Sequence, residues 1–191
     1  MRIFLRAIFP AVFERFSIVG DRYSLNFPDL YAETFNTFHK ISSIGWILTE
    51  NPPGNRRVVV SGDTRPTEAI IKAASGADLL VYEATYLKKH YGRAIKRQHS
   101  TTSEAANLAV KSEVGGLVLT HTSSRYSTET IRMEVEEIFP GAIIPPPLAT
   151  ISVESLPDKL KKSHGWAQFK ILSNDVKEGS LSTCCQEADL E

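Results

Sequence analysis

Cysteine is almost absent from this 191-residue chain, which has only Cys184 and Cys185, side by side near its C-terminal end. Neighbouring residues lie about 3.8 Å apart at Cα, which is closer than an ordinary disulfide favours. The sequence therefore excludes a disulfide framework and predicts a reducing, cytoplasmic setting. Two thiols in a polar tail are also weak candidates for a metal site.

Long apolar runs and an excess of charge of either sign are lacking as well. No run reaches the roughly 18 apolar residues of a membrane helix, so no membrane partner is expected. Residues 1–13 are apolar, but Arg6 and Pro10 interrupt them and no small-residue cleavage site follows, which argues against a signal peptide. The 22 basic residues balance the 22 acidic ones. Any contact with nucleic acid therefore requires a local basic patch.

Chemically active side chains follow apolar runs at several points of the chain. Asp63 comes shortly after three valines, Glu83 follows the run at 79–82, and His121 follows the run at 117–120. These runs have the length and β-branched content of buried strands, and helical patterns separate them. Because α/β sheets build active sites at the carboxyl ends of parallel strands, we expect a site at this edge.

The remaining pattern predicts a mixed α/β domain. A Pro-Pro-Gly loop at 52–54 predicts a hairpin between the strands at 44–50 and 58–60. Thr101 followed by Glu104 is a capping-box pattern for a helix through about residue 112. Further strands are predicted at 79–82, 117–120, 142–144 and 150–153, and further helices at 67–75 and 127–139. Residues 154–191 form a polar tail.

Each candidate site residue also has an ordinary structural explanation. Asp63 could cap the following helix, and His121 could be a buried, hydrogen-bonded histidine. Glu83 could bond to backbone amides, and His99 could lie on the surface before the helix that Thr101 caps. The residues alone leave these alternatives open.

Four motifs carry a resemblance to a known family. They are Ser-Gly-Asp-Thr-Arg-Pro at 61–66, Glu-Ala-Thr at 83–85, His-Ser-Thr-Thr-Ser-Glu-Ala at 99–105 and Leu-Thr-His-Thr-Ser-Ser-Arg-Tyr at 119–126. In this order and spacing they resemble ribonuclease Z, the zinc-dependent endonuclease of the metallo-β-lactamase superfamily that removes the 3′ trailer of precursor tRNA. The resemblance is strongest over residues 35–140. It implies the C-terminal half of an αββα sandwich, with residues 1–153 forming a partial domain.

The resemblance also implies roles for the candidate residues. Asp63 and His121 correspond to ligands of the two zinc ions that the complete family site holds. His99 corresponds to the histidine that protonates the departing 3′ oxygen, a task that suits a group with a pKa near neutrality. Glu83 would orient that histidine and keep it charged.

One family signature, His-x-His-x-Asp-His, is missing, because the five histidines are never two residues apart. Only Asp63 and His121 then match the family's ligands, whereas a catalytic zinc site needs at least three protein donors. We therefore expect a truncated enzyme that is inactive alone. Since half a sandwich leaves one sheet face without its partner layer, a homodimer or a separate N-terminal half is the expected protein partner.

Basic and aromatic side chains near the motifs are candidates for contact with precursor tRNA. Several cations beside such a site would bind phosphates of the RNA backbone. The candidates are Lys88, Lys89, Arg93, Lys96, Arg97, Arg125, Tyr126 and His39. Two alternatives remain open, namely another phosphodiesterase or hydrolase of the same fold, and a non-catalytic scaffold that binds RNA or a protein partner.

Overall fold

The structure, a computed structural model, describes residues 23–153 and the backbone of two short strands, Arg2–Ile3 and Phe169–Ile171. Most of the predicted tail at 154–191 lies outside the described residues. Within the described part, no helix has the length and apolar character needed to cross a membrane.

Nine strands and four α-helices lie along the described part of the chain. The strands are β1 (Arg2–Ile3), β2 (Ser24–Asn26), β3 (Leu30–Asn36), β4 (Ile44–Glu50), β5 (Arg57–Val60), β6 (Leu79–Glu83), β7 (Leu117–Thr120), β8 (Ile151–Val153) and β9 (Phe169–Ile171). The helices are α1 (Glu68–Ala74), α2 (Tyr91–Arg97), α3 (Thr102–Lys111) and α4 (Thr128–Glu136), and a 3-10 turn at Lys88–His90 precedes α2.

Local sequence signals explain where three of these helices begin. Thr67 caps α1 and Ser127 caps α4, each accepting a hydrogen bond from a backbone N–H in the first turn. Thr101 caps α3 in the predicted capping box, where its side chain and that of Glu104 each accept a bond from the other's backbone N–H. The cap at Thr101 fixes the path of residues 99–100, which enter the candidate site.

The main sheet has six strands in the order β2-β3-β4-β5-β6-β7. Its first four strands are antiparallel neighbours, and the predicted hairpin between β4 and β5 is present. β5, β6 and β7 are parallel, because α1 and α3 carry the chain back between them. The α/β fold and mixed sheet predicted from the sequence are thereby confirmed, and the carboxyl ends of the three parallel strands lie at one edge.

Both faces of the parallel part of this sheet, β5 to β7, are buried. Residues from β6, β7 and three helices form the larger core, which includes Ile70, Leu80, Leu119 and Val135. On the opposite face, side chains from β5, β6 and β7 pack against Ile151 and Val153 of β8. The sequence-based expectation of an uncovered face was therefore wrong for this part of the sheet.

Three details of the predicted organisation need correction. β8 does not finish the main sheet but pairs with β1 and β9 in a second, three-stranded sheet. Residues 142–144 contribute only an isolated bridge, between Ile143 and Val118. No helix was predicted over the basic stretch at 88–97, whereas it forms the 3-10 turn and α2.

Candidate active site

The carboxyl edge of the parallel strands gathers the four residues that the sequence proposed as its active centre. Asp63 follows β5, Glu83 ends β6, and His121 follows β7. His99 reaches the same place from the segment between α2 and α3. The rings of His99 and His121 stack, with centroids 5.2 Å apart.

Glu83 and His99 form a buried, hydrogen-bonded pair. The Glu83 side chain is 1% exposed, and His99 Nδ1 lies 2.8 Å from its Oε1. The Thr64 N–H donates to the same oxygen at 2.8 Å. The second oxygen accepts from the Thr85 hydroxyl at 2.7 Å and from the Ser100 N–H at 3.1 Å. Since every one of these groups donates, the carboxylate is held in its ionised form.

Electrostatics keep this pair charged despite its burial. Desolvation acts against both charges, raising the pKa of Glu83 and lowering that of His99. The hydrogen bond and the attraction between the two groups outweigh it, so that the pKa of Glu83 is lowered and the pKa of His99 is raised. These effects favour a protonated His99 beside an ionised Glu83.

Asp63 and His121 form a second carboxylate–histidine pair with a different character. The closest approach, from His121 Nδ1 to Asp63 Oδ1, is 3.8 Å, and the side chains are 51% and 39% exposed. His121 has a φ of 51°, which lies in the left-handed region that few residues other than glycine adopt. Such backbone geometry is common where a side chain is positioned for function.

Gly62 explains how the chain brings Asp63 to this edge. Its φ of 63° lies in the left-handed region, and a Cβ there would come within 2.7 Å of the Ile44 carbonyl oxygen. Only glycine fits this turn without displacing β4. In the Ser-Gly-Asp sequence, the glycine is therefore required for the turn, and the aspartate supplies the carboxylate at the sheet edge.

The Thr85 hydroxyl joins the two pairs. Its proton goes to Glu83 Oε2, and its oxygen lies 2.7 Å from His121 Nδ1. Because the hydroxyl has one proton, already donated, His121 must donate from Nδ1 to the oxygen. That assignment places the free lone pair of a neutral His121 on Nε2.

His39 also belongs to this cluster, although the sequence suggested it only as an RNA contact. Its Nδ1 lies 2.9 Å from the carbonyl oxygen of Gln98, and its ring centroid is 4.6 Å from that of His99. One potential metal-binding atom each from His39, Asp63 and His99 lies within 4.8 Å of the other two. A second such group comprises Glu83, His99 and His121.

Aspartate oxygen and imidazole nitrogen are donors that zinc accepts, so the residues present fit a divalent metal. The two groups differ in availability, however. In the second group the Glu83 oxygens already accept several hydrogen bonds. In the first group the three side chains are only partly buried. The first group therefore offers donors that are still free to bind.

Two supporting residues were missed by sequence reasoning, although both lie inside the recognised motifs. Arg65 Nη1 donates to the His99 carbonyl at 2.7 Å, and its guanidinium pairs with Glu104 through both carboxylate oxygens. Thr85 has the linking role described above. The sequence signal that could have identified Arg65 and Thr85 is their position within two residues of Asp63 and Glu83.

Most of the basic candidates lie on two adjacent exposed elements that lead into the site. Lys88 and Lys89 are in the 3-10 turn, and Arg93, Lys96 and Arg97 are exposed on α2, which ends at Gln98 just before His99. Arg125 is exposed in the loop after β7, and the hydroxyl of Tyr126 bonds to His90 Nδ1 at 2.6 Å. Tyr126 thus has a structural contact within the protein, whereas the cations on α2 face solvent.

Comparison with known proteins agrees with the family resemblance that the motifs indicate. Residues 20–122 match the family described as "Beta-lactamase superfamily domain". A protein named Ribonuclease Z from Gemmatimonas aurantiaca is 45% identical over 91 residues, which are 47% of this chain and 29% of that protein. Another of that name, from Brevibacillus brevis, is 42% identical over 110 residues, 54% of this chain and 35% of that protein.

Among solved structures, the metallo-β-lactamase fold protein YhfI from Bacillus subtilis superposes with a TM-score of 0.58. It is 22% identical and covers 65% of this chain and 50% of its own, so it supports the fold alone. This chain spans about a third of the length of the two curated relatives. The match over more than half of the chain, the fold and the motifs together show that this protein belongs to the metallo-β-lactamase superfamily and resembles ribonuclease Z within it.

Proposed function

We propose that this chain supplies part of the active site of a zinc-dependent endoribonuclease that removes the 3′ trailer of precursor tRNA. The observation that carries the proposal is the Glu83–His99 pair, a buried and charged proton-donating unit placed against Asp63 and His121. A carboxylate–histidine pair next to metal-binding side chains suits phosphodiester hydrolysis. The curated relatives named Ribonuclease Z support this reaction over others of the same fold.

His99 acts as the general acid. Its raised pKa favours the imidazolium at near-neutral pH, so that it holds a proton for the departing 3′ oxygen. Glu83 fixes the ring through Nδ1, which leaves Nε2 to deliver that proton. Arg65 bonds to the His99 carbonyl and holds the backbone in place.

Asp63 and His121 are the side chains that would hold zinc in this role. When bound there, zinc would provide Lewis-acid activation of a water for attack on the phosphodiester. Two donors are fewer than the three that a catalytic zinc site needs. We therefore propose that cleavage requires further ligands of the His-x-His-x-Asp-His type and that the chain is inactive without them.

The exposed cations of α2 and the preceding turn bind the RNA backbone in this proposal. They lie directly before Gln98 and His99, so phosphates held there would lead into the site. Such contacts are independent of sequence and sensitive to salt.

The proposal predicts a large effect of His99 on cleavage. Precursor tRNA with a labelled 3′ end would be incubated with this chain and a separate N-terminal segment that carries His-x-His-x-Asp-His. His99→Ala should lower the cleavage rate by roughly 10²–10⁴-fold, which is the usual contribution of general acid catalysis. His90→Ala is the matched control, because this histidine bonds to Tyr126 outside the group around Asp63. Equal rates for the two variants would contradict the role of His99.

A second prediction concerns the cations. Changing Lys88, Lys89, Arg93 and Lys96 to Gln should weaken tRNA binding at least about tenfold and flatten its dependence on salt, by about 0.7 to 0.9 in log–log slope per lost phosphate contact. Lys72→Gln with Lys111→Gln serves as the control, since these residues lie in the last turns of α1 and α3. Fluorescence anisotropy at several salt concentrations measures both quantities. An unchanged slope would remove these cations from the RNA interface.

A further inference from the structure

Two large aromatic side chains stay exposed to solvent beside the candidate active site. Phe38, in the segment between β3 and β4, is 54% exposed, and Tyr91, the first residue of α2, is 49% exposed. A single exposed apolar residue needs no explanation, because folded proteins leave many of them on the surface. Both of these residues contact Arg65, however, whose guanidinium bonds to the His99 carbonyl. Their position therefore links them to the site.

Hydrogen bonds fix the backbone of Phe38 to the segment that follows Asp63. The Phe38 N–H donates to the Thr64 hydroxyl at 2.9 Å, and the Phe38 carbonyl accepts from the Arg65 N–H at 2.9 Å. Thr64 is fully buried, so this anchor belongs to the rigid part of the domain. The phenyl ring is thus carried on a backbone tied to the site, although burying it would have stabilised the fold.

The Tyr91 ring is held in place by Arg65. The guanidinium carbon lies over the ring, 5.5 Å from its centroid, which is the geometry of a cation–π contact. Arg65 is itself fixed by Glu104 and by the His99 carbonyl. A ring that is already held in one orientation loses little side-chain entropy when a ligand stacks on it. Because about half of Tyr91 is exposed, ring surface remains available to such a ligand.

The charges around Tyr91 favour a nucleic acid as the occupant. Residues 86–98 contain five lysines and arginines and no acidic residue. An apolar segment of a protein partner would leave these cations without counter-charges. A single-stranded nucleic acid instead offers phosphates to the cations and flat bases to the aromatic rings. In a duplex the bases stack on one another, so their faces are not available to Phe38 and Tyr91.

We propose that Phe38 and Tyr91 form an aromatic platform on which unpaired bases of RNA stack beside the active site. Phosphates of the same strand bind the cations of α2, and stacking on the aromatic platform sets the position of the strand relative to His99. The surface therefore prefers single-stranded RNA to duplex RNA. This inference rests on the proposed function, because it specifies which part of the RNA substrate the surface beside the site binds.

Binding of a short single-stranded RNA that carries 2-aminopurine tests the aromatic platform without any cleavage. Fluorescence anisotropy at low salt gives the affinity of the full-length chain and of the double variant Phe38→Leu, Tyr91→Leu. Leucine keeps apolar bulk but has no ring face, so the affinity should fall about 5- to 150-fold, the usual contribution of one stacked base. The salt dependence should not change, because no phosphate contact is lost.

Matched variants separate stacking from an effect on folding. Tyr23→Leu, which replaces an exposed tyrosine just before the edge strand β2, should bind as the parent does. Tyr91→Phe keeps the ring and should also bind as the parent does. Duplex RNA should bind the parent and the double variant equally. The emission of 2-aminopurine should change when the parent binds, a measurement that needs no variant.

Two outcomes would overturn the aromatic platform alone. One is an equal affinity of the parent and the double variant for single-stranded RNA. The other is 2-aminopurine emission that stays the same when the parent is saturated. In both cases RNA binding by the cations of α2, and with it the proposed function, would be unaffected. A parent chain that binds neither single-stranded nor duplex RNA would instead contradict the RNA role of α2, and the aromatic platform with it.

Discussion

Two carboxylate–histidine pairs stand side by side in this protein and differ in almost every physical respect. The Glu83–His99 pair is joined at 2.8 Å, with side chains that are 1% and 15% exposed. The Asp63–His121 pair is 3.8 Å apart at its closest, with both side chains more than a third exposed. Backbone N–H groups of Thr64 and Ser100 donate to Glu83. The two pairs therefore consist of the same chemical groups but differ in burial and in the number of hydrogen bonds that their carboxylates accept.

The difference indicates how the two pairs divide their roles. A buried carboxylate with all its bonds made contributes to folding, and its loss leaves buried donors without partners. An exposed carboxylate with a distant histidine contributes little to stability, but it can bind an ion at a small cost of desolvation. We interpret Glu83–His99 as a structural pair that also holds a proton. We interpret Asp63–His121 as an open pair, which is exposed and available to bind a metal.

Removing the buried charge should have the largest effect on stability. Glu83→Gln places an amide NH₂ among groups that all donate, including Thr85 and His99. We expect the free energy of unfolding to fall by about 2–4 kcal/mol, as measured by urea denaturation of the metal-free protein. Glu136→Gln on the exposed side of α4 is a control for the charge change itself. A loss below about 1 kcal/mol would mean that the bonds to Glu83 are not important for folding.

Cutting the link between the pairs should have an intermediate effect. Thr85→Val removes the hydroxyl that donates to Glu83 and accepts from His121. We expect a loss of about 1 kcal/mol in unfolding free energy, the usual value of one hydrogen bond, and a free choice of tautomer at His121. Thr120→Val is the matched control, because its hydroxyl donates over 3.3 Å to the Tyr82 carbonyl without touching either pair. Ring ¹⁵N shifts that stay unchanged at His121 would contradict the linking role.

Glu50, a carboxylate outside the site, serves as a reference whose loss should change the free energy of unfolding only slightly. Arg56 holds Glu50 through two of its guanidinium nitrogens, Nε and Nη2, and its side-chain hydrogen bond lowers the pKa of Glu50. A lowered folded-state pKa stabilises the protein above the unfolded value and loses that contribution as the pH falls. Glu50→Gln should therefore cost up to about 1 kcal/mol at pH 7 and make unfolding less dependent on pH below about 4.5. The measurement is the free energy of unfolding of both proteins as the pH is lowered. An equal fall of that free energy in the parent and in Glu50→Gln would contradict this prediction.

The strand ends of the site were predictable from the sequence. Asp63, Glu83 and His121 follow apolar runs whose β-branched residues leave little choice but buried strands, and parallel order then brings their ends together. Thr101 and Glu104 fixed the helix that positions His99. These signals are local, and local signals can be found in a single sequence.

The parts that were missed depend on contacts distant in sequence or on weak local patterns. His39 reaches the site through contacts distant in sequence, since Phe38 bonds to Thr64 and Arg65 and His39 itself bonds to Gln98. No spacing encodes that approach. No helix was predicted at 88–97, because α2 buries Ala94 alone and has no side-chain cap at His90. β8 was recognised as a strand, but its pairing with β1 joins opposite ends of the chain.

The most direct test of the comparison is urea unfolding of Asp63→Asn with and without Zn²⁺, in the Cys184→Ser, Cys185→Ser background. Without metal, we predict a free energy of unfolding within about 0.5 kcal/mol of the parent, as expected of an exposed side chain. With Zn²⁺ at about 100 times its dissociation constant, the parent should gain about 2.7 kcal/mol and Asp63→Asn almost nothing. Two results would contradict the distinction between the structural pair Glu83–His99 and the open pair Asp63–His121. One is a loss of stability in metal-free Asp63→Asn as large as that of Glu83→Gln, and the other is the full gain from Zn²⁺ in Asp63→Asn.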